Sequence, residues 1–138
     1  MGLTLWAVRG TKEGLKNTKK AILIVEDDSD IRDTLVEVLS GEGYPVHAVT
    51  QGQEALDYLG ASAEMPSLII LDAMMPIMDG YTFRDLQSRN PAIASIPIAF
   101  LSADGHLEKR AQQAGLTVFI KKPVDLSPIF HLASRYCG

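Results

Sequence analysis

A single cysteine, Cys137, stands in the 138 residues, so no disulfide can form within the chain, and a reducing compartment is the expectation. Its place near the C-terminus points to an incidental thiol and not to a nucleophile. No apolar run approaches the length of a membrane-spanning helix. The short patch from Leu3 to Val8 is too brief for a signal-peptide core, and it precedes the basic residues instead of following them. The chain is therefore expected to be cytoplasmic and to make no membrane contact. Glycine-rich phosphate loops are missing too: Gly41-Glu42-Gly43 follows a helical stretch, so it is no dinucleotide fingerprint, and ATP and NAD are not expected ligands. The three histidines, His47, His106 and His131, fall in no metal-ligand spacing and form no triad with Ser102 or Cys137. Neither a repeat nor a low-complexity linker divides the chain.

What is present is enough apolar residue, 46%, to build the core of one domain. The net charge of -4 conceals an asymmetry. Arg9, Lys12, Lys16, Lys19 and Lys20 against Glu13 make the first twenty residues basic, so the remainder is more acidic than the total suggests. Phosphate contacts supply most nucleic-acid affinity, so an acidic body argues against such binding by the domain itself. Residues 1–19 show no hydrophobic period and are expected to be a flexible basic tail, with the folded domain at 20–138.

Within that domain five apolar runs alternate with amphipathic stretches, the βα repetition of a parallel sheet covered by helices on both faces. The runs predict strands at 21–25, 46–49, 67–71, 96–101 and 117–120. Ile31, Leu35, Val38 and Leu39 recur at helical spacing before Gly41 and Gly43. Thr50-x-x-Gln53 reads as a capping box opening a second helix through Ala55, Leu56 and Leu59. Asp79-Gly80 turns the chain into a third, through Phe83 and Leu86, which Asn90-Pro91 ends. A fourth is expected around 107–114, and Ser127-Pro128 reads as the N-cap and N1 pair of a fifth, burying some of Ile129, Phe130, Leu132 and Ala133.

Two of the strands end in acid. Ala21 to Val25 runs into Glu26-Asp27-Asp28, and Leu68 to Leu71 into Asp72. In parallel sheets ligands gather just beyond the strand C-termini. Asp27, Asp28 and Asp72 converging there would repel one another, each close pair by roughly 4 kcal/mol at an effective dielectric near 20. A hard, oxygen-preferring cation, Mg²⁺ or Mn²⁺, would neutralise them. The competing reading is that Asp27-Asp28 merely caps the first helix.

These acids, together with Leu-Asp-x-x-Met-Pro-x-Met-Asp-Gly at 71–80, Ser102 in Phe-Leu-Ser-Ala, and Lys122-Pro123, resemble in order and spacing the functional set of receiver domains from two-component response regulators. The resemblance runs from about Lys20 to the C-terminus and implies a flavodoxin-like doubly wound α/β fold, five parallel strands in the order 2-1-3-4-5 with five helices. It implies that Asp72 accepts a phosphoryl group from a partner histidine kinase or phosphotransfer protein. Asp27 and Asp28 would be metal ligands, Asp72 both ligand and nucleophile, and Met74 would offer its backbone carbonyl to the metal. Ser102 would bond a phosphoryl oxygen, with turn or N-cap duty as its plainer reading. Phe119 would be the switch aromatic, here without a hydroxyl. Asp79 belongs to the turn.

Lys122 follows Asp72 by fifty positions, and a lone lysine there would ordinarily be a solvated charge. Pro123 fixes a turn, a cis bond being one way to make it, which would aim Lys122 at the acids. Lys121 is then the surface lysine, a choice that rests on the family pattern. Met74 and Asp104, each two residues beyond a functional position, would flank the path of a hydrolytic water, and shielding by Met74 is expected to prolong the phosphoryl lifetime. The expected whole is a stand-alone signalling switch, not an enzyme, whose output surface is the fourth helix, fifth strand and fifth helix, acting on an unidentified protein target. A fragment of a larger regulator or hybrid kinase is the nearest alternative. The rival from another class is a small Mg²⁺-dependent phosphohydrolase with an aspartyl nucleophile, drawing on Asp28-Ser29-Asp30.

Overall fold

The computed structural model of the protein describes residues 18–75, 77–102 and 118–138. In chain order the elements are β1 (Ile22–Val25), α1 (Ser29–Gly41), β2 (Val46–Val49), α2 (Gly52–Ala61), β3 (Leu68–Asp72), α3 (Gly80–Ser88), β4 (Ile98–Ser102), β5 (Val118–Lys121) and α4 (Leu126–Cys137). The five strands are all parallel and lie in the order β2-β1-β3-β4-β5. This is the flavodoxin-like arrangement expected from the sequence. The expected helix around 107–114 and residues 1–17 of the basic tail expected at 1–19 lie outside the described residues, so α4 is the fifth helix of the sequence reading. Among the described residues no helix is long and apolar enough to cross a membrane.

The apolar runs of β1, β3 and β4 are continuous because these strands are covered on both faces, whereas the edge strand β2 is only partly buried. Leu23, Val25, Ile69, Leu71 and Phe100 face one core with Ala55 and Leu59 of α2 and Phe83 of α3. Their alternate neighbours Ile22, Ile24, Leu68, Ile70 and Leu101 face the other, with Leu35 and Leu39 of α1 and Ile129, Leu132 and Ala133 of α4. Strand side chains alternate between faces, so a sheet buried on both sides has no polar register to spare. Cys137 is part of the second core, where burial pushes its thiol up to about 11, so it packs and is not poised to react.

Helix ends account for most of the shifts from the sequence reading. The expected Thr50–Gln53 capping box is replaced: Thr50 N–H donates to Glu54 Oε1 at 2.8 Å, Gln53 reaches along the helix to Asp57, and the N-cap Gln51 makes no side-chain capping bond. In α4 the N-cap is Asp125, which accepts from Ser127 N–H at 3.0 Å, so Ser127-Pro128 sits inside the first turn and not before it. Asp and Ser suit an N-cap about equally, and here the chain leaving β5 turns into the helix at Asp125, whose carboxylate also meets the helix N-terminus with a full charge. Helix α1 closes with Tyr44 N–H on Leu39 O and Gly43 N–H on Ser40 O, the paired bonds of a Schellman ending, and Gly43 takes the positive φ, 92°, that this ending needs. Gln87 is a buried polar residue for which the sequence reading assigned no part. Its amide donates to Ile93 O and Ile96 O, holding the loop that feeds β4.

Candidate functional site

Strand order places β1 between β2 and β3, and the chain crosses in opposite directions on either side of it. The C-terminal ends of β1 and β3 therefore border the crevice where ligands bind in such sheets. Val25 pairs with Leu71 in the β1–β3 register, so the residues that follow, Glu26 and Asp72, come out side by side. Gly80 lets α3 start against this edge: a Cβ there would stand 2.7 Å from a Phe100 ring carbon and 3.0 Å from Ala73 Cα. Asp79 caps that helix by accepting from Thr82 N–H at 2.8 Å, the turn role expected of it.

Glu26, Asp27 and Asp72 each bring a carboxylate oxygen within 4.8 Å of the others, a group that could hold a metal ion. Asp28, expected in that cluster, is elsewhere. Its Oδ1 accepts from Asp30 N–H at 2.9 Å and Ile31 N–H at 3.2 Å, so it caps α1, and Glu26 takes the third place. The physical reason is positional. Glu26 still continues β1, its N–H donating to Val49 O, whereas two residues later the chain has reached the N-terminus of a helix whose free N–H groups attract a carboxylate. Aligning the two apolar runs would have revealed this, since the first acid after each run then falls opposite the other.

Lys122 lies at the end of β5, where its N–H donates to Ser102 O and its bond to Pro123 is cis. Its Nζ stands 3.1 Å from Glu26 Oε1 and 3.3 Å from Asp72 Oδ2. Lys121 beside it is exposed. Asp72 is 3% exposed, and its Oδ1 accepts from Met74 N–H at 3.0 Å. Burial, reinforced by Asp72 alongside, pushes Glu26 up to about 7 despite Lys122. For Lys122, burial alone would lower the pKa, but Glu26 and Asp72 outweigh it and the net shift is upward, so the ammonium stays charged. Glu26 Oε1 is close to Lys122 yet lacks hydrogen-bond geometry, leaving a buried acceptor without a hydrogen-bond partner among the described residues. Oxygen ligands only, mutually repelling, with one acceptor held by an ion pair alone, fit a hard divalent cation.

Ser102 is buried at the end of β4, one residue beyond Leu101, which pairs with Asp72. Met74 is exposed, and the loop it opens carries Ile77, almost fully exposed at a φ of 72°. Phe119 pairs through its backbone with Phe100, while its side chain, like Asp104 and His106, lies outside the described residues.

A model of the response regulator receiver domain matches residues 22–134. The chain belongs to that family, whose members are phosphoacceptor signalling switches of two-component systems. An uncharacterized 14.6 kDa protein from the sodA1 3′ region of Leptolyngbya boryana is 35% identical over 118 residues, covering 84% of this chain and 88% of that protein. The response regulator Rre1 of Synechocystis is 34% identical over 108 residues, 76% of this chain but 46% of Rre1. The chain thus spans less than half the length of that relative. Among solved structures, the signal receiver domain of a signal transduction histidine kinase from Syntrophus aciditrophicus superposes with a TM-score of 0.76 at 32% identity, covering 85% of this chain and 89% of that one.

Proposed function

We propose that Asp72 is the phosphoacceptor of this switch, taking its phosphoryl group from a phosphohistidine on a histidine kinase or phosphotransfer protein. The observation that carries the reading is the convergence of Lys122 Nζ on Asp72 Oδ2 and Glu26 Oε1, a half-buried cation beside a buried carboxylate. One carboxylate oxygen of Asp72 attacks phosphorus as the bond to the donor imidazole nitrogen breaks, and the electron pair leaves with the imidazole. Glu26, Asp27 and Asp72 would hold Mg²⁺, or Mn²⁺, which when bound offsets the charge on the transferring group. Met74 remains the candidate for a backbone-carbonyl ligand, and Asp28 serves the helix end. Lys122 contributes the second positive charge. Ser102, buried next to the acceptor strand, would meet a phosphoryl oxygen, with Phe119 as the aromatic that responds.

The product is a retained acyl phosphate and a changed surface, not released substrate, so the domain is a switch and not an enzyme. Its output runs through β5, α4 and the segment expected to be helical around 107–114, towards a protein target. Acidic composition keeps nucleic acid off the domain itself. The hydrolase reading loses support because Asp28, its nucleophile, is engaged at Oδ1 by Asp30 and Ile31 N–H groups. Incubation with acetyl phosphate and Mg²⁺ separates the two. Intact-mass measurement should show one phosphoryl group retained per chain, whereas release of many equivalents of phosphate would identify a hydrolase.

A further inference from the structure

Arg32, in the first turn of α1, engages three successive carbonyls of the acidic loop. Its backbone N–H donates to Asp28 O at 2.9 Å, and its Nη1 donates to Glu26 O at 3.1 Å and, at the outer limit, to Asp27 O at 3.5 Å. The side chain folds back along the loop that carries two of the three clustered acids. Its hydrogen bonds go to carbonyls, so the carboxylate oxygens stay available. Glu26 is already fixed on both sides, its N–H on Val49 O and its Oε2 on Asp28 N–H at 3.2 Å. Asp27 is exposed, and among the described residues no hydrogen bond holds its carboxylate. Where that carboxylate points depends on the backbone beneath it, and the backbone is what Arg32 clasps.

We infer that Arg32 is a positioning residue, which sets the cation affinity of the Glu26, Asp27 and Asp72 cluster by holding the backbone of residues 26–28 from the helix side. The inference rests on the reading of that cluster as a cation site. Partners that orient metal ligands without touching the metal commonly change affinity by roughly tenfold or more when removed. Both carbonyl contacts come from one nitrogen, Nη1, so a lysine ammonium that reaches as far would keep part of the clasp. A countervailing effect has the opposite sign: as a cation near three carboxylates, Arg32 should by charge alone weaken binding of a second cation. The two roles therefore make opposite forecasts.

The test is calorimetric titration of Mg²⁺ into the native chain, Arg32→Met and Arg32→Lys, with thermal unfolding of each in metal-free buffer. Arg32→Met should raise the Kd for Mg²⁺ by roughly tenfold and Arg32→Lys by less. With acetyl phosphate, the Mg²⁺ concentration for half-maximal labelling should rise while the rate at saturating Mg²⁺ holds. Unchanged or tighter binding in Arg32→Met overturns the inference, as does an equal fall in the saturated rate, which would mark general damage. If the native chain itself takes up no Mg²⁺, the cation site fails and the role assigned to Arg32 fails with it.

Discussion

Lys122 Nζ lies 3.3 Å from Asp72 Oδ2 across fifty positions of sequence, and 3.1 Å from Glu26 Oε1. Both carboxylates are buried, so the lysine is what keeps two like charges tolerable in the metal-free protein. Removing one partner from a buried charge cluster typically costs about 3–5 kcal/mol. Lys122→Ala should therefore unfold at lower urea concentration in metal-free buffer, by an amount towards the low end of that range because Glu26 can protonate. Mg²⁺ should recover part of the loss. The variant should also still accept phosphoryl groups while its amide spectrum responds less to them. Equal stability of both proteins in chelator would show that Lys122 is an ordinary surface charge.

Ile77 is 96% exposed at a φ of 72°, so a β-branched residue holds a left-handed conformation without packing to justify it. The left-handed region costs a non-glycine residue about 1–2 kcal/mol. Ile77→Gly should raise the unfolding free energy by about 1 kcal/mol after the entropy cost of glycine is set against it. Urea denaturation checks this, and a destabilised variant would contradict it.

Glu26 titrates near 7 in the folded metal-free protein against 4.5 for an ordinary glutamate. The folded state then binds this proton more tightly than the unfolded state. Its contribution to stability is full below about 4.5, falls as pH rises towards about 7, and levels off above. Comparing native protein with Glu26→Gln in chelator isolates the effect: the native curve should fall relative to the variant across that window. Mg²⁺ affinity should strengthen over the same range, since the cation must displace the proton. A native-to-variant difference that does not change with pH would refute the assignment.

Met74 is anchored through its backbone, its N–H donating to Asp72 Oδ1, so its side chain starts beside the acceptor. An apolar side chain there can obstruct water but cannot orient it. Phosphoryl loss from Met74→Asn should be several-fold faster than from the native chain, read by decay of the phosphorylated mass after removal of the donor. An equal or slower rate would end the shielding account.

The strand positions were legible because strands buried on both faces are written as apolar runs, while the order of the strands came from the family resemblance and not from the runs. Helix starts were less so. Asp125 and Ser127 both suit an N-cap, and the choice between them depends on where β5 releases the chain. The same ambiguity governs the acids: Glu26-Asp27-Asp28 offers three adjacent carboxylates, and the register of β1 against β3, which an alignment of the two apolar runs anticipates, decides which face Asp72. Arg32 carried no signal at all. An arginine at the start of an amphipathic helix reads as a solvated charge until its backbone partners are seen.

The claim on which the rest depends is that the phosphoryl group resides on Asp72. After labelling with acetyl phosphate and Mg²⁺, reduction with borohydride converts an aspartyl phosphate to homoserine, which peptide mass mapping locates. The account predicts homoserine at position 72 in the native chain and no labelling of Asp72→Asn. Homoserine at Asp27 or Asp28 instead, or full labelling of Asp72→Asn, would contradict it.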